Sequence, residues 1–246
     1  MNPTPVTPTG ILIIDKPAGW TSMDVCARIR SLVRKGGAPK RAKVGHAGTL
    51  DPFATGLLLV MVGRATRLCD RLMATEKEYL ATIDLSRTSD TQDPEGAITD
   101  VPVSHPPDRS ALLAAARSLT GEILQRPPAH SAIHVGGVRA YALARQGHAP
   151  DLPPRPVSVH QFEVLEYSFP FVRTRIRCGK GTYIRSLARD LGLALGVGGM
   201  LTELRRTSVG EFTIDRARTM ESLGQILTQE DLLPIPPGLN LSPDPG

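Results

Sequence analysis

Three observations predict a fold that mixes strands and helices: an apolar run near the start that ends in Pro and Gly, a later segment that alternates apolar with basic residues, and capped helical stretches between such runs. With 246 residues, 41% of them hydrophobic, the chain can bury a substantial core. Residues 10–19, GILIIDKPAG, read as a buried strand entering a turn. Thr21 to Asp24 has capping-box spacing, and Val25, Ile29, Leu32 and Val33 then share one helical face up to Gly36-Gly37. Leu57 to Val62 fits a strand or a buried helix equally well.

Tyr79 to Leu85 reads as a strand, and Ser86 to Gly96, with Asp90, Asp93 and Glu95, as a solvated acidic turn. Asp108 caps a helix that runs through Leu119 and is ended by Gly121. Residues 126–156 are the least regular: prolines bracket a short helical piece around Val138 to Arg145, the pattern of a protruding insertion able to grip a partner. Further on, Val172, Thr174, Ile176 and Cys178 face one side of a strand while Arg173, Arg175 and Arg177 face the other. Gly179-Lys180-Gly181-Thr182 turns the chain, and Thr182 can cap a helix whose core face is Ile184, Leu187, Ala188, Leu191 and Leu195. Arg185 falls in its first turn, off that face. A cation there is slightly unfavourable, so a nearby anion would account for it. One folded domain is expected over 10–232, with a disordered Pro-rich tail over 233–246.

Charge narrows the partner. Residues 28–43 hold seven Lys or Arg and residues 173–189 hold six, of 29 in the chain, and neither window contains an acidic residue. Such acid-free clusters favour a polyanion over a merely solvating face. Three scattered cysteines, Cys26, Cys69 and Cys178, support neither a disulfide framework nor a zinc knuckle, and no export signal or long apolar stretch is present. A cytoplasmic location is expected. Lys180 is followed by Gly181, not Ser or Thr, so no phosphate loop forms, and the H-x-E with P-C-x-x-C pattern of zinc deaminases is missing. His130 and His134 have metal-pair spacing but lack further ligands.

Residues 45–56, GHAGTLDPFATG, form a Gly-bounded segment whose one acidic group is Asp51. Asp51 before Pro52 can initiate a turn or present a catalytic carboxylate, and Tyr79 can be core packing or chemistry. This segment, with Asp15-Lys16-Pro17 before it and Lys77-Glu78-Tyr79 and Gly179-Lys180-Gly181-Thr182-Tyr183-Ile184-Arg185 after it, closely resembles the TruB type of bacterial tRNA pseudouridine synthases. The ordered match runs from about residue 10 to 215.

The resemblance implies the α+β pseudouridine synthase fold, with a large mixed or mainly antiparallel sheet, flanking helices and the 126–156 insertion clamping RNA. It implies isomerisation of uridine 55 in the T loop of tRNA, without metal or organic cofactor; no protein partner is implied, and a monomer is expected. Asp51 matches the catalytic aspartate, Tyr79 the tyrosine that stacks on the target base, and Arg185 the arginine that pairs with the aspartate and favours its charged form. His46, Leu204 and Tyr183 match residues on the substrate side, as does Lys16, read as shaping the loop beneath the site. Two departures stand out: His130 replaces a common aromatic residue and His134 a common lysine, and the chain stops where many relatives continue into a PUA domain. Fewer RNA contacts and a shallower salt dependence are then expected. A tRNA-folding chaperone and a base-removing glycosylase are the rival readings.

Overall fold

A computed structural model describes residues 7–239 except 132, 136 and 149. The chain divides into two compact units, Met1–Lys77 with Arg205–Gly246, and Glu78–Leu204. Both crossings between the units fall inside strands, so no Pro- or Gly-rich linker marks them.

The first unit opens with β1 (Gly10–Lys16), α1 (Ser22–Lys35), β2 (Val44–His46), β3 (Thr55–Val62) and the short α2 (Cys69–Met73). Helix α1 begins as the sequence requires: Thr21 accepts from the Asp24 amide at 3.0 Å while Asp24 accepts from the Thr21 amide at 2.9 Å. Val25, Ile29, Leu32 and Val33 are fully buried, each contributing roughly 1.5–3 kcal/mol. They pack on Leu12, Ile14, Leu58, Val60 and Val62. The alternate residues Ile11, Ile13, Leu57, Leu59 and Met61 face a second cluster with Leu68, Leu72 and Phe212. Residues 57–62 are therefore a strand buried on both faces, which is why periodicity alone left them ambiguous.

The second unit holds β4 (Lys77–Asp84), β5 (Arg87–Ser89), β6 (Ile98–Asp100), α3 (Arg109–Ser118), β7 (Gly121–Gln125), β8 (His134–Val135), β9 (Val138–Arg139), α4 (Ala140–Arg145), β10 (Arg155–Ser168), β11 (Phe171–Cys178), α5 (Ile184–Leu195) and the first half of β12 (Met200–Val209). The chain then returns to the first unit for β13 (Phe212–Thr213) and β14 (Arg218–Thr219). Strand order is β14-β1-β3-β12 in the first unit and β12-β4-β11-β10-β7 in the second. The β1–β3, β2–β3, β7–β10 and β10–β11 pairs are antiparallel, whereas β1–β14 and β3–β12 are parallel. The mixed sheet and flanking helices agree with the expected α+β class.

Four local expectations change. In the insertion, Val138 belongs to a two-residue strand paired with β8, and only Ala140–Arg145 is helical. Thr182 does not cap α5; its hydroxyl donates back to the Gly179 carbonyl, and Tyr183 takes the cap position. The acidic turn is not wholly solvated, since Asp93 is buried, although Asp90 and Glu95 are exposed. Finally, Leu233 exchanges two backbone hydrogen bonds with Ile11, at 2.9 and 3.0 Å, and Ile235 and Leu239 pack on the second cluster. Spaced apolar residues anchor this stretch despite its proline content. Residues 240–246 of the expected tail lie outside the described residues.

Candidate functional site

In the first unit the conspicuous feature is the loop joining β2 to β3, which carries Asp51. The Ala54 amide donates to the Asp51 carbonyl at 3.1 Å, so the Asp-Pro turn exists. It is one of several constraints on the same loop. Ser22, the first residue of α1, accepts from the Leu50 amide at 2.9 Å and donates to the Leu50 carbonyl at 3.2 Å. Lys16, fully buried at the end of β1, donates through Nζ to the carbonyls of Pro17, Trp20 and Pro52. Arg206, 1% exposed on β12, donates through Nε to the Leu57 carbonyl at 2.7 Å and through Nη2 to the Gly48 carbonyl at 3.1 Å. The loop is gripped by its backbone at residues 48, 50 and 52, while Asp51 itself is only half-buried.

Close packing of strands completes the support. Gly56 has φ +100° and lies so near β12 that a Cβ would sit 2.3 Å from the Arg206 carbonyl oxygen. Only glycine meets both demands. Arg205, next along β12, forms an ion pair with Asp15 at 2.7 Å. His46 ends β2 opposite Val60 and is half-buried.

In the second unit, Tyr79 lies near the start of β4 and is 8% exposed. Leu204, 7% exposed, lies in the half of β12 that pairs with β4, where the Thr202 hydroxyl donates to the Thr82 carbonyl at 3.1 Å. Tyr183 and Arg185 stand at the start of α5. Buried Gln125 fixes that start, accepting from the Tyr183 amide at 2.8 Å and donating to its carbonyl at 3.1 Å. The Arg155 guanidinium carbon lies 5.4 Å from the centre of the Tyr183 ring, a cation–π contact.

Arg185 is 5% exposed and forms an ion pair with Asp93 at 3.1 Å. Its guanidinium also donates to the carbonyls of Thr91 and His130, each at 3.0 Å. The anion expected beside this helix-start cation is therefore present within the unit. Asp93 is fixed in turn by the Thr91 hydroxyl at 2.5 Å and the Glu95 amide at 3.0 Å. The helix-start argument held the clue to Asp93, but nothing in the sequence chose among Asp90, Asp93 and Glu95. Gln125 and Arg206 carried no such signal. His134 lies on β8.

The second basic strand face differs from expectation. Arg173 and Arg175 pair at 3.1 Å with Glu166 and Glu163, their cross-strand partners on β10. The window is acid-free along the chain but not across the sheet.

These features fit the class of pseudouridylate synthases. A family model described as the N-terminal domain of TruB family pseudouridylate synthase matches residues 35–184, and one for the tRNA pseudouridylate synthase B C-terminal domain matches residues 185–234. The tRNA pseudouridine synthase B of Thermobifida fusca (strain YX) is 49% identical over 227 residues, covering 89% of this chain and 75% of that protein. That of Mycobacterium bovis (strain BCG / Pasteur 1173P2) is 49% identical over 224 residues, covering 89% and 73%. Among solved structures, a chain of a Cbf5-Nop10-Gar1 complex superposes with TM-score 0.66 at 31% identity, covering 90% of this chain and 58% of that one. A chain of an H/ACA RNP bound to a substrate RNA containing 2'-deoxyuridine gives TM-score 0.63 at 31% identity, covering 86% and 51%. This chain thus spans little more than half the length of those solved chains. It belongs to the TruB family.

Proposed function

We propose that this chain is a tRNA pseudouridine synthase that isomerises uridine 55 in the T loop, acting as a cytoplasmic monomer on the T arm. The observation that carries the reading beyond family membership is the loop of Asp51, whose backbone is held by Lys16, Ser22 and Arg206. Such a loop presents one carboxylate in a fixed position, and preorganisation of that kind is what positioning catalysis needs. In the reaction the C1′–N1 bond breaks, the uracil turns, a C1′–C5 bond forms, and the C5 hydrogen leaves as a proton while the freed N1 takes one up. Ionised Asp51 starts this sequence on the ribose of the flipped-out nucleotide, either as nucleophile or by removing a sugar proton. Tyr79 stacks on the target base and assists loss of the C5 proton; Arg185 is assigned to the same reacting nucleotide. His46, Leu204, Tyr183 and Lys16 serve the substrate side, Lys16 through the loop it supports.

The test uses T-arm RNA tritiated at uridine C5. The parent releases tritium with the RNA chain intact, and Asp51→Ala lowers the rate by about a thousandfold or more while still binding RNA. Equal release by Asp51→Ala would sink the mechanism, an abasic product would favour a glycosylase, and refolding of tRNA without release would leave a chaperone.

A further inference from the structure

Trp20 is the one tryptophan of a chain in which aromatic residues make up only 4%. It lies in the turn between β1 and α1, and 36% of it is exposed. Met23, just inside α1, is 57% exposed, so an aromatic ring and a thioether are both left open to solvent at this helix start. A singly exposed apolar residue is ordinary. This one is mounted differently. The Lys16 ammonium donates at 2.6 Å to the Trp20 carbonyl and at 3.1 Å to the Pro52 carbonyl, and the Gly19 amide donates to the same Pro52 oxygen at 2.8 Å. The turn that carries the ring is tied through these bonds to the residue following Asp51. The same helix then exposes Arg28, Arg34 and Lys35, as a surface facing an RNA backbone would.

We infer that Trp20 is a stacking platform for an unpaired base next to the reacting nucleotide. This rests on the proposed reading of the chain as an RNA-modifying enzyme. Extruding a nucleotide removes stacking from its neighbours, and an exposed aromatic face held at a fixed place beside the reacting loop replaces what they lose. Stacking needs a π face and not merely apolar volume. It also tolerates any base, so the platform contributes affinity for an opened loop more than choice of sequence.

Three substitutions test this: Trp20→Phe keeps a π face, Trp20→Leu keeps apolar volume without one, and Trp20→Ala removes both. Leu and Ala are expected to raise KM for T-arm RNA by about tenfold or more, with kcat retained and Phe near the parent. The slope of log affinity against log salt should stay unchanged, because the substitutions remove no cation that meets a phosphate. In the Asp51→Ala background, where no turnover intervenes, RNA binding should quench the fluorescence of the single tryptophan. Thermal melts establish that each variant is folded. If Trp20→Leu binds RNA as well as the parent, or RNA binds without altering the fluorescence, the platform is wrong. A parent that releases no tritium overturns the proposed function as well; a failure confined to the Trp20 variants overturns only this inference.

Discussion

Arg185 shows what a buried cation requires. It lies in the first turn of α5, where the helix dipole disfavours it, and its carboxylate partner in the same unit is Asp93, whose side chain is 2% exposed. Removing one member of a buried pair costs more than the pair contributes, because the charge left behind has lost its partner. Asp93→Asn should therefore lower stability by about 3 kcal/mol, read from urea unfolding, and reduce tritium release together with it. Unchanged stability would mean that the two carbonyl acceptors on Thr91 and His130 suffice for the guanidinium. At this scale the sequence supplied the candidates Asp51, Tyr79 and Arg185 through the resemblance that their separate motifs carry. Their supports were not legible in it. Asp93, Gln125 and Arg206 act on partners dozens of residues away, and a side chain's remote acceptor leaves no trace in local pattern.

Elements with their own period and caps were read well. Thr21 and Asp108 start α1 and α3 as expected, and the arginine strand alternates as expected, because capping and alternation are set by neighbours in the chain. Thr182 failed as a cap because its hydroxyl closed the preceding turn and the Gln125 amide met the backbone at the helix start. The caps make an acid-stability prediction. The Asp24 carboxyl is held below its ordinary value by hydrogen bonds from the Thr21 hydroxyl and amide, and the Asp108 carboxyl by the Ala111 amide and the Ser110 hydroxyl. A depressed folded-state pKa gives stability that is present above the unfolded value and lost as pH falls through the folded one. Between pH 5 and about 3, the urea midpoint of the parent should fall more steeply than that of a variant with Asp24→Asn and Asp108→Asn. Parallel curves would show that these caps do not set the acid response.

For the whole molecule, the balance of charge is more local than the sequence suggests. The net charge of +5 comes from two clusters, yet Arg173 and Arg175 meet glutamates across the sheet, whereas Lys35, Arg41 and Lys43 are exposed beside α1. Changing those three to Gln should flatten the salt dependence of RNA binding by about 0.7–0.9 in log–log slope for each phosphate no longer neutralised. Changing Arg173 and Arg175 should do so less, and a larger effect from that pair would show that their glutamates give way to phosphate.

The pairing of Ile11 with Leu233 has a consequence for biosynthesis. Ile11 of β1 forms its backbone bonds with a residue made more than two hundred positions later, whereas residues 78–204 contain every segment of their own unit. Domains fold as units as they emerge. The second unit can therefore settle while β1 still waits, and the loop bearing Asp51 gains its grip from Arg206 only after residues 78–204 have been made. A nascent chain released before that point would carry the aspartate without the arginine that holds its loop.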